Sequence, residues 1–376
     1  MDVGDLPEGF DVLDDLEVLA RLDPEDMRGQ VGRSPAQLRA AWAQTRTLTL
    51  PAAHRAASAV AVLGMGGSAI GADLVTGIFG ARLTVPVLPL RDYELPAWVG
   101  PQTLVLASSH SGATEETLSA LEAALRRHCP VVALTTGGPL LEVARRAELP
   151  HLVFPAGGQP RAAIGYGVGL LMGLLERGGY LSLGDSEVQT AADEGERAVA
   201  ECAAERPTRD NVAKQLAWSL VDRMAVIEGA GALAPVARRW KTQLNENAKA
   251  MAAFEALPEA THNAVVGYAH PESARERTFV IFLAGRSEHP RNRLRGRLSA
   301  ELLDAAHVPH RTVEVAGEGP LAEALHGIVI GDATSVYLAT LYGEDPTPIE
   351  ALSGIKARLA VVADGLADGS ADEVAG

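Results

Sequence analysis

Along the chain, short apolar runs of β type alternate with stretches whose apolar residues recur at helical spacing. The runs at 59–63, 85–90, 103–107, 131–134 and 151–154 read as strands. After the third of them, Leu118, Leu121 and Leu125 repeat as the buried stripe of a helix. Strands that alternate with helices pair in parallel and are covered on both faces. The pattern then restarts at 224–227 before Gly229-Ala230-Gly231, at 278–283 before Ala284-Gly285-Arg286-Ser287, and at 311–315. Matching segments are offset by about 165 to 175 residues, which is the length of a duplicated domain and not of a solenoid repeat.

The expected fold class is therefore α/β, with two tandem doubly wound units, each a mostly parallel sheet flanked by helices. Residues 1–50 form an acidic helical lead-in, 51–190 the first unit, 191–362 the second, and 363–376 a flexible tail of Gly, Asp, Ala and Ser. The join is expected in the polar, acidic stretch 184–205.

Composition narrows the partners. The 376 residues carry a net charge of -15, which argues against nucleic acid and against an anionic membrane surface. An anionic ligand must then be attracted by local groups. Cys129 and Cys202 are the only cysteines, so no disulfide framework or cysteine metal site is indicated, and a reducing cytoplasm is the simplest compartment. The acidic start Met1-Asp2-Val3-Gly4-Asp5 lacks the basic and apolar regions of a secretory signal. The apolar stretch 162–175 is too short to span a bilayer and reads as a core helix. No metal is expected: His307 and His310 straddle Pro309 without a carboxylate in a ligand pattern.

The chemistry concentrates in loops that follow strands. Ser109-His110-Ser111-Gly112-Ala113-Thr114-Glu115-Glu116-Thr117 puts four hydroxyls and a glycine where a strand's carboxyl end meets a helix amino terminus. Free amides and the positive end of the helix dipole favour a phosphate there, and hydroxyls add donors. A serine-rich N-cap with a capping-box glutamate also fits these residues. The first strand ends in Gly64-Met65-Gly66-Gly67-Ser68-Ala69, which satisfies a dinucleotide fingerprint with Asp92 as a candidate ribose ligand. Two features count against a dinucleotide. Ser68 adds a hydroxyl that such a turn does not need, and both loops point into one crevice, where a single phosphate clamped from two sides fits better than a pyrophosphate.

Together these two loops resemble those of the sugar isomerase (SIS) domain family, whose members bind phosphosugars. Arg161 in Gln159-Pro160-Arg161-Ala162-Ala163, Glu246 in Leu244-Asn245-Glu246-Asn247-Ala248-Lys249, and His262 in Thr261-His262-Asn263 are similar to motifs of the bifunctional phosphoglucose/phosphomannose isomerases. Lys356 in Ile355-Lys356-Ala357-Arg358-Leu359 matches that family's last catalytic position. The resemblance runs from about residue 58 to 361 with the motifs in the family's order. His110 and Ala113 depart from it, standing where many members carry Tyr and Asn.

The resemblance implies a cytoplasmic, metal-independent aldose-ketose isomerase without a cofactor, acting on glucose 6-phosphate and mannose 6-phosphate. It further implies a homodimer in which the histidine reaches across the interface. Gly66, Gly67, Ser68, Ser109, Ser111 and Thr114 would hold phosphate. Glu246 would carry the proton between C1 and C2, its pKa raised by partial burial. Arg161 would stabilise the enediolate, with His262 and Lys356 opening the ring. Thr347, in Asp345-Pro346-Thr347-Pro348, is the candidate for the small residue that admits both hexoses.

Spacing alone reads several of these differently. Glu246 and Lys249, three apart, could pair on a helix surface whose buried face takes Trp240, Leu244, Met251 and Phe254. Arg161 and His262 fit solvated loops, and Lys356 a helix surface. A phosphosugar sensor, a dinucleotide oxidoreductase, and an isomerase of another hexose or amino-sugar phosphate are the rival functions.

Overall fold

Two parallel sheets organise residues 10–367, which are those described by this computed structural model. The first contains β1 (Ala59–Leu63), β2 (Val87–Leu90), β3 (Thr103–Ser109), β4 (Val131–Thr135) and β5 (His151–Val153), in the order β2-β1-β3-β4-β5. The second contains β6 (Met224–Ala230), β7 (Ala252–Leu257), β8 (Thr278–Ala284) and β9 (His310–Glu314), in the order β7-β6-β8-β9. Every pairing is parallel. Strand β3 is buried along its whole length, as its unbroken apolar run requires of a strand covered on both faces.

Helices supply the cover. Before the first sheet come α1 (Leu16–Leu22), α2 (Met27–Gly32), α3 (Ser34–Thr45) and α4 (Ala52–Arg55). Then α5 (Gly66–Phe79) follows β1, α6 (Glu115–Arg126) follows β3 and α7 (Gly138–Arg146) follows β4. Next are α8 (Ile164–Gly178), α9 (Asp185–Glu201) and α10 (Val212–Leu220). In the second unit α11 (Ala234–Glu246) follows β6, α12 (Glu272–Glu276) precedes β8 and α13 (Pro290–Ala305) follows it. The fold closes with α14 (Pro320–Tyr342) and α15 (Glu350–Ala367). Helix α14 is long and apolar enough to cross a membrane, but 94% of its apolar window is buried within the protein, so it serves as a core helix.

The two sheets share one core. Val60, Val62, Leu104 and Leu106 of the first belong to the same buried cluster as Ile227, Phe279 and Ile281 of the second, with Leu74, Trp240 and Tyr337 among the helix residues in it. Helix α5 packs directly on α11, so the helix that starts at the first loop touches the helix that ends at Glu246.

Two expectations need correction, and the acidic stretch 184–205, where the join is expected, is structured. Most of it is α9, which buries Val188, Ala191, Ala192, Gly195 and Ala198 and packs on α3 and α14. The helix read through Met251 and Phe254 stops at Glu246; Phe254 lies on β7, an edge strand paired with β6, and Met251 is exposed. The tail expected from residue 363 is helical to Ala367, and 368–376 lie outside the described residues.

Candidate active site

Strand order puts the loops after β1 and β3 side by side, at the point where the chain's connections diverge to opposite faces of the sheet. Open α/β sheets bind ligands at such a point. The loop after β1 enters α5 through Gly66, whose φ of 48° suits glycine and beyond whose Cα the space is open. No side chain caps α5, so its first amides have no side-chain acceptor. In the loop after β3, the Ser109 and Thr114 hydroxyls meet at 2.8 Å, while the Ser111 hydroxyl accepts the Ala113 N–H at 3.2 Å. The sequence allowed a capping box here, yet the Thr114 side chain makes no cap bond to α6, and the Thr117 hydroxyl is buried without a partner. Because β1 and β3 are paired neighbours, the two loops lie side by side at the carboxyl edge of the sheet. The His110 ring stands edge-on to Phe154 at 5.7 Å, and burial pulls its imidazole below the usual value, which favours the neutral ring.

Gly67 joins these loops to the next group. A Cβ on it would come within 3.0 Å of the Pro160 carbonyl, so the first loop lies directly against the residue before Arg161. Arg161 sits in a 3-10 turn just ahead of α8 and is only 4% exposed. Its Nη2 donates to the Pro346 and Thr347 carbonyls at 2.7 and 2.8 Å, and its Nε to Asn247 Oδ1 at 2.6 Å. Two distant segments therefore meet on one guanidinium.

Glu246 is the last residue of α11, in the neighbourhood of Arg161. Burial raises its carboxyl above the usual range, opposed by the positive charges of Arg161, Arg239, Lys356 and Lys241. The surface pair with Lys249 does not form: Lys249 Nζ bonds the Asn247 carbonyl at 3.1 Å and the Asp345 carbonyl at 2.5 Å. Among the described residues Glu246 belongs to no ion pair. A half-buried carboxyl held near an arginine, with its value moved up, suits a general base.

The other predicted residues are distributed unequally. Lys356 lies on the exposed helix α15, close enough to act on the Glu246 carboxyl. Thr347 is 2% exposed, with its hydroxyl buried and unpartnered beside the carbonyl that takes Arg161. His262 is exposed on the 3-10 turn Glu259–His262, and among the described residues no bond draws it to Glu246. Sequence reasoning gave Asn247 no role, although the polar triplet Asn245-Glu246-Asn247 inside a helix with a buried face was the available signal.

With this geometry in hand, comparison with known proteins is direct. Residues 209–359 match the family model of the bacterial phospho-glucose isomerase C-terminal SIS domain. A bifunctional phosphoglucose/phosphomannose isomerase from Caldicellulosiruptor bescii is 34% identical over 335 residues, covering 88% of this chain and 98% of that protein. Among solved structures, a hypothetical protein from Thermus thermophilus aligns with a TM-score of 0.73 at 17% identity, covering 92% of this chain and 94% of that one. Tagatose-6-phosphate ketose/aldose isomerase from Escherichia coli aligns at 0.64 and 15%, covering 85% and 93%. Both structural likenesses concern the fold.

Proposed function

This chain belongs to the bifunctional phosphoglucose/phosphomannose isomerase family and is an isomerase; from that premise we propose that it interconverts glucose 6-phosphate and mannose 6-phosphate with fructose 6-phosphate through Glu246. The observation that carries the reading is the buried neighbourhood of Glu246 and Arg161, next to a crevice whose hydroxyls and free amides suit a phosphate.

The substrate phosphate is held by Gly66, Gly67, Ser68, Ser109, Ser111 and Thr114. Once the ring is open, the Glu246 carboxylate takes the proton from C2 of the aldose and returns it to C1. Between the two steps the negative charge rests on the enediolate oxygens, beside the fixed charge of Arg161. His262 and Lys356 pass the ring proton. Glucose and mannose 6-phosphates differ only in configuration at C2 and share one enediol, so dual use requires room at C2. Thr347 is the candidate for that room, its unpartnered hydroxyl being able to bond a water or a sugar oxygen.

His262 acts from a second copy of the chain. The stripe Leu352, Ile355 and Leu359 on α15 is 44%, 56% and 48% exposed, and Val266, close to His262 in the sequence, is 76% exposed. Covering these apolar residues with a second copy is favourable and brings a histidine that the chain's own fold leaves outside. Two buried free cysteines agree with a reducing, cytoplasmic setting.

The proton chemistry uses only these side chains and no metal. EDTA-treated protein is expected to form fructose 6-phosphate from both aldose phosphates. Turnover of glucose 6-phosphate alone would remove the dual specificity, and silence with both would overturn the reading.

A further inference from the structure

The five N–H groups of Arg161 are almost all committed to the protein. Nε binds Asn247 Oδ1, the two Nη2 hydrogens take the Pro346 and Thr347 carbonyls, and Nη1 meets Gln159 Oε1 at 3.3 Å. One Nη1 hydrogen remains. From Asn247 the bonds continue: its Nδ2 donates to Ser335 Oγ at 2.9 Å, and that hydroxyl donates to the Asp332 main-chain carbonyl at 2.7 Å. The Asp332 carboxylate accepts Arg239 Nε at 3.0 Å and Nη2 at 2.6 Å, and Arg239 Nη2 also donates to the main-chain carbonyl of Arg161 at 2.8 Å. The circuit thus starts on the Arg161 side chain and ends on the Arg161 backbone. Asn247 and Ser335 are fully buried, and Asp332 and Arg239 are each 1% exposed.

We propose that Asn247 is a positioning residue for the isomerase, holding the Arg161 guanidinium in one plane beside Glu246 through a closed ring completed by Ser335, Asp332 and Arg239. The ring fixes the chemistry of position 247. Arg161 Nε requires an acceptor there, and Ser335, whose own proton is given to Asp332, requires a donor. An asparagine amide supplies both, aspartate lacks the donor, and an aliphatic side chain lacks both. Because every bond lies in the interior, leaving one end unpaired disturbs the others. The ring also carries charge to Glu246: Arg161 and Arg239 are the two largest influences that oppose the upward pull of burial on its carboxyl. A guanidinium free to turn restrains that carboxyl less.

The inference rests on Glu246 being the base and Arg161 its partner. N247A is expected to lower kcat about ten- to hundredfold while KM for glucose 6-phosphate stays within about twofold, since the phosphate loops belong to the other sheet. The acid limb of its kcat/KM profile should move to higher pH as Glu246 loses part of the Arg161 restraint. N247D, which keeps the acceptor for Nε, is expected to recover most of kcat while its added negative charge moves the limb further in the same direction. S335A, one bond farther along the ring, should give a smaller loss with the same sign. N247A with wild-type kcat and an unmoved limb overturns the proposal. If N247A does not fold, S335A decides, and an unchanged kcat and limb there overturn it. Full activity in E246Q would instead remove the assignment of the base.

Discussion

At the carboxyl ends of β1 and β3, the first sheet presents hydroxyls and uncapped amides; at the carboxyl ends of β6 and β8, the second sheet meets the corresponding loop with a carboxylate of its own. Strand order around the two points is the same, β2-β1-β3-β4 against β7-β6-β8-β9. The short motif that opens the next helix is repeated too, Gly138-Pro139-Leu140-Leu141-Glu142 at the start of α7 and Gly319-Pro320-Leu321-Ala322-Glu323 across the start of α14. Glu142 is exposed, whereas Glu323 is 1% exposed. Both Glu323 oxygens accept the Ser287 N–H, at 2.9 and 3.2 Å, and a Cβ on Gly285 would lie 2.5 Å from Oε2, so only glycine lets the carboxylate in. At the positions of Ser109 and Ser111 the second loop has Ala284 and Arg286, although Ser287 follows. The duplicated fold thus repeats the loop, and in the second copy a buried glutamate already takes the amide that an anion would need. In the proposed mechanism the second unit contributes from elsewhere, at the end of α11 and in the loop before α15.

That division of labour is broken most severely at Glu246. E246Q is expected to lose turnover by about 10²–10⁴-fold, the range for a missing general base, while still binding sugar phosphate at the first crevice. H262A should also be poor. If His262 serves the partner's Glu246, mixing the two variants rebuilds one intact site per mixed dimer, and activity returns to a substantial fraction of wild type. A mixture no more active than its components would mean that the sites are not shared.

How far the two halves were legible beforehand follows from the range of the contacts. The candidate phosphate loops are local: strand, glycine, hydroxyls and helix start all lie within about ten residues, so pattern alone places the strand ends and helix starts that flank them. Strand β1 fell on its observed limits for the same reason. Strand β7 was hidden because Ala252-Ala253-Phe254-Glu255-Ala256-Leu257 is rich in alanine and carries a glutamate at an edge, which mutes alternation. Helix α9 was hidden because its buried face is made mostly of alanine and glycine among acidic residues. The setting of Arg161 was out of reach altogether, since Asn247 and Thr347 join it across 86 and 186 positions.

A second, smaller difference between the sheets sharpens the comparison through pH. Leu63 ends β1, and its counterpart in β6 is Glu228, buried beside Phe282 and Glu255. Burial, with the like charge of Glu255, pushes the Glu228 carboxyl up to about 7 from 4.5. Since the folded state holds the proton more tightly than the unfolded chain, this contribution to stability is full below pH 4.5 and is lost as pH rises through 7. A shift of this size makes the loss between pH 5 and pH 8 about 2 kcal/mol. Denaturant titrations should show E228Q losing less stability than wild type over that interval. Parallel losses in the two proteins would mean that Glu228 is not the titrating group, and the first sheet, with leucine at this position, has no equivalent to test.

The mildest test addresses the occupied loop itself. E323A removes a buried carboxylate from the Ser287 amide, and the lost charge-assisted bonds should lower stability by about 1 to 2 kcal/mol. Arg293 Nη2 still braces the emptied loop through the Gly285 and Arg286 carbonyls, at 2.6 and 2.8 Å, so the amide keeps its orientation. Glu288 remains nearby, its carboxyl pushed up to about 7 by burial and by the charges of Glu314 and Glu323, so any attraction for an anion there is modest. Inorganic phosphate should therefore raise the Tm of E323A slightly more than that of wild type, whose response comes from the first crevice alone. E323Q, which fills the same volume without charge, should respond as wild type does. Equal phosphate responses in E323A and wild type would mean that the second loop holds no anion even when emptied, and that the missing hydroxyls, with or without Glu323, are what separate the two halves.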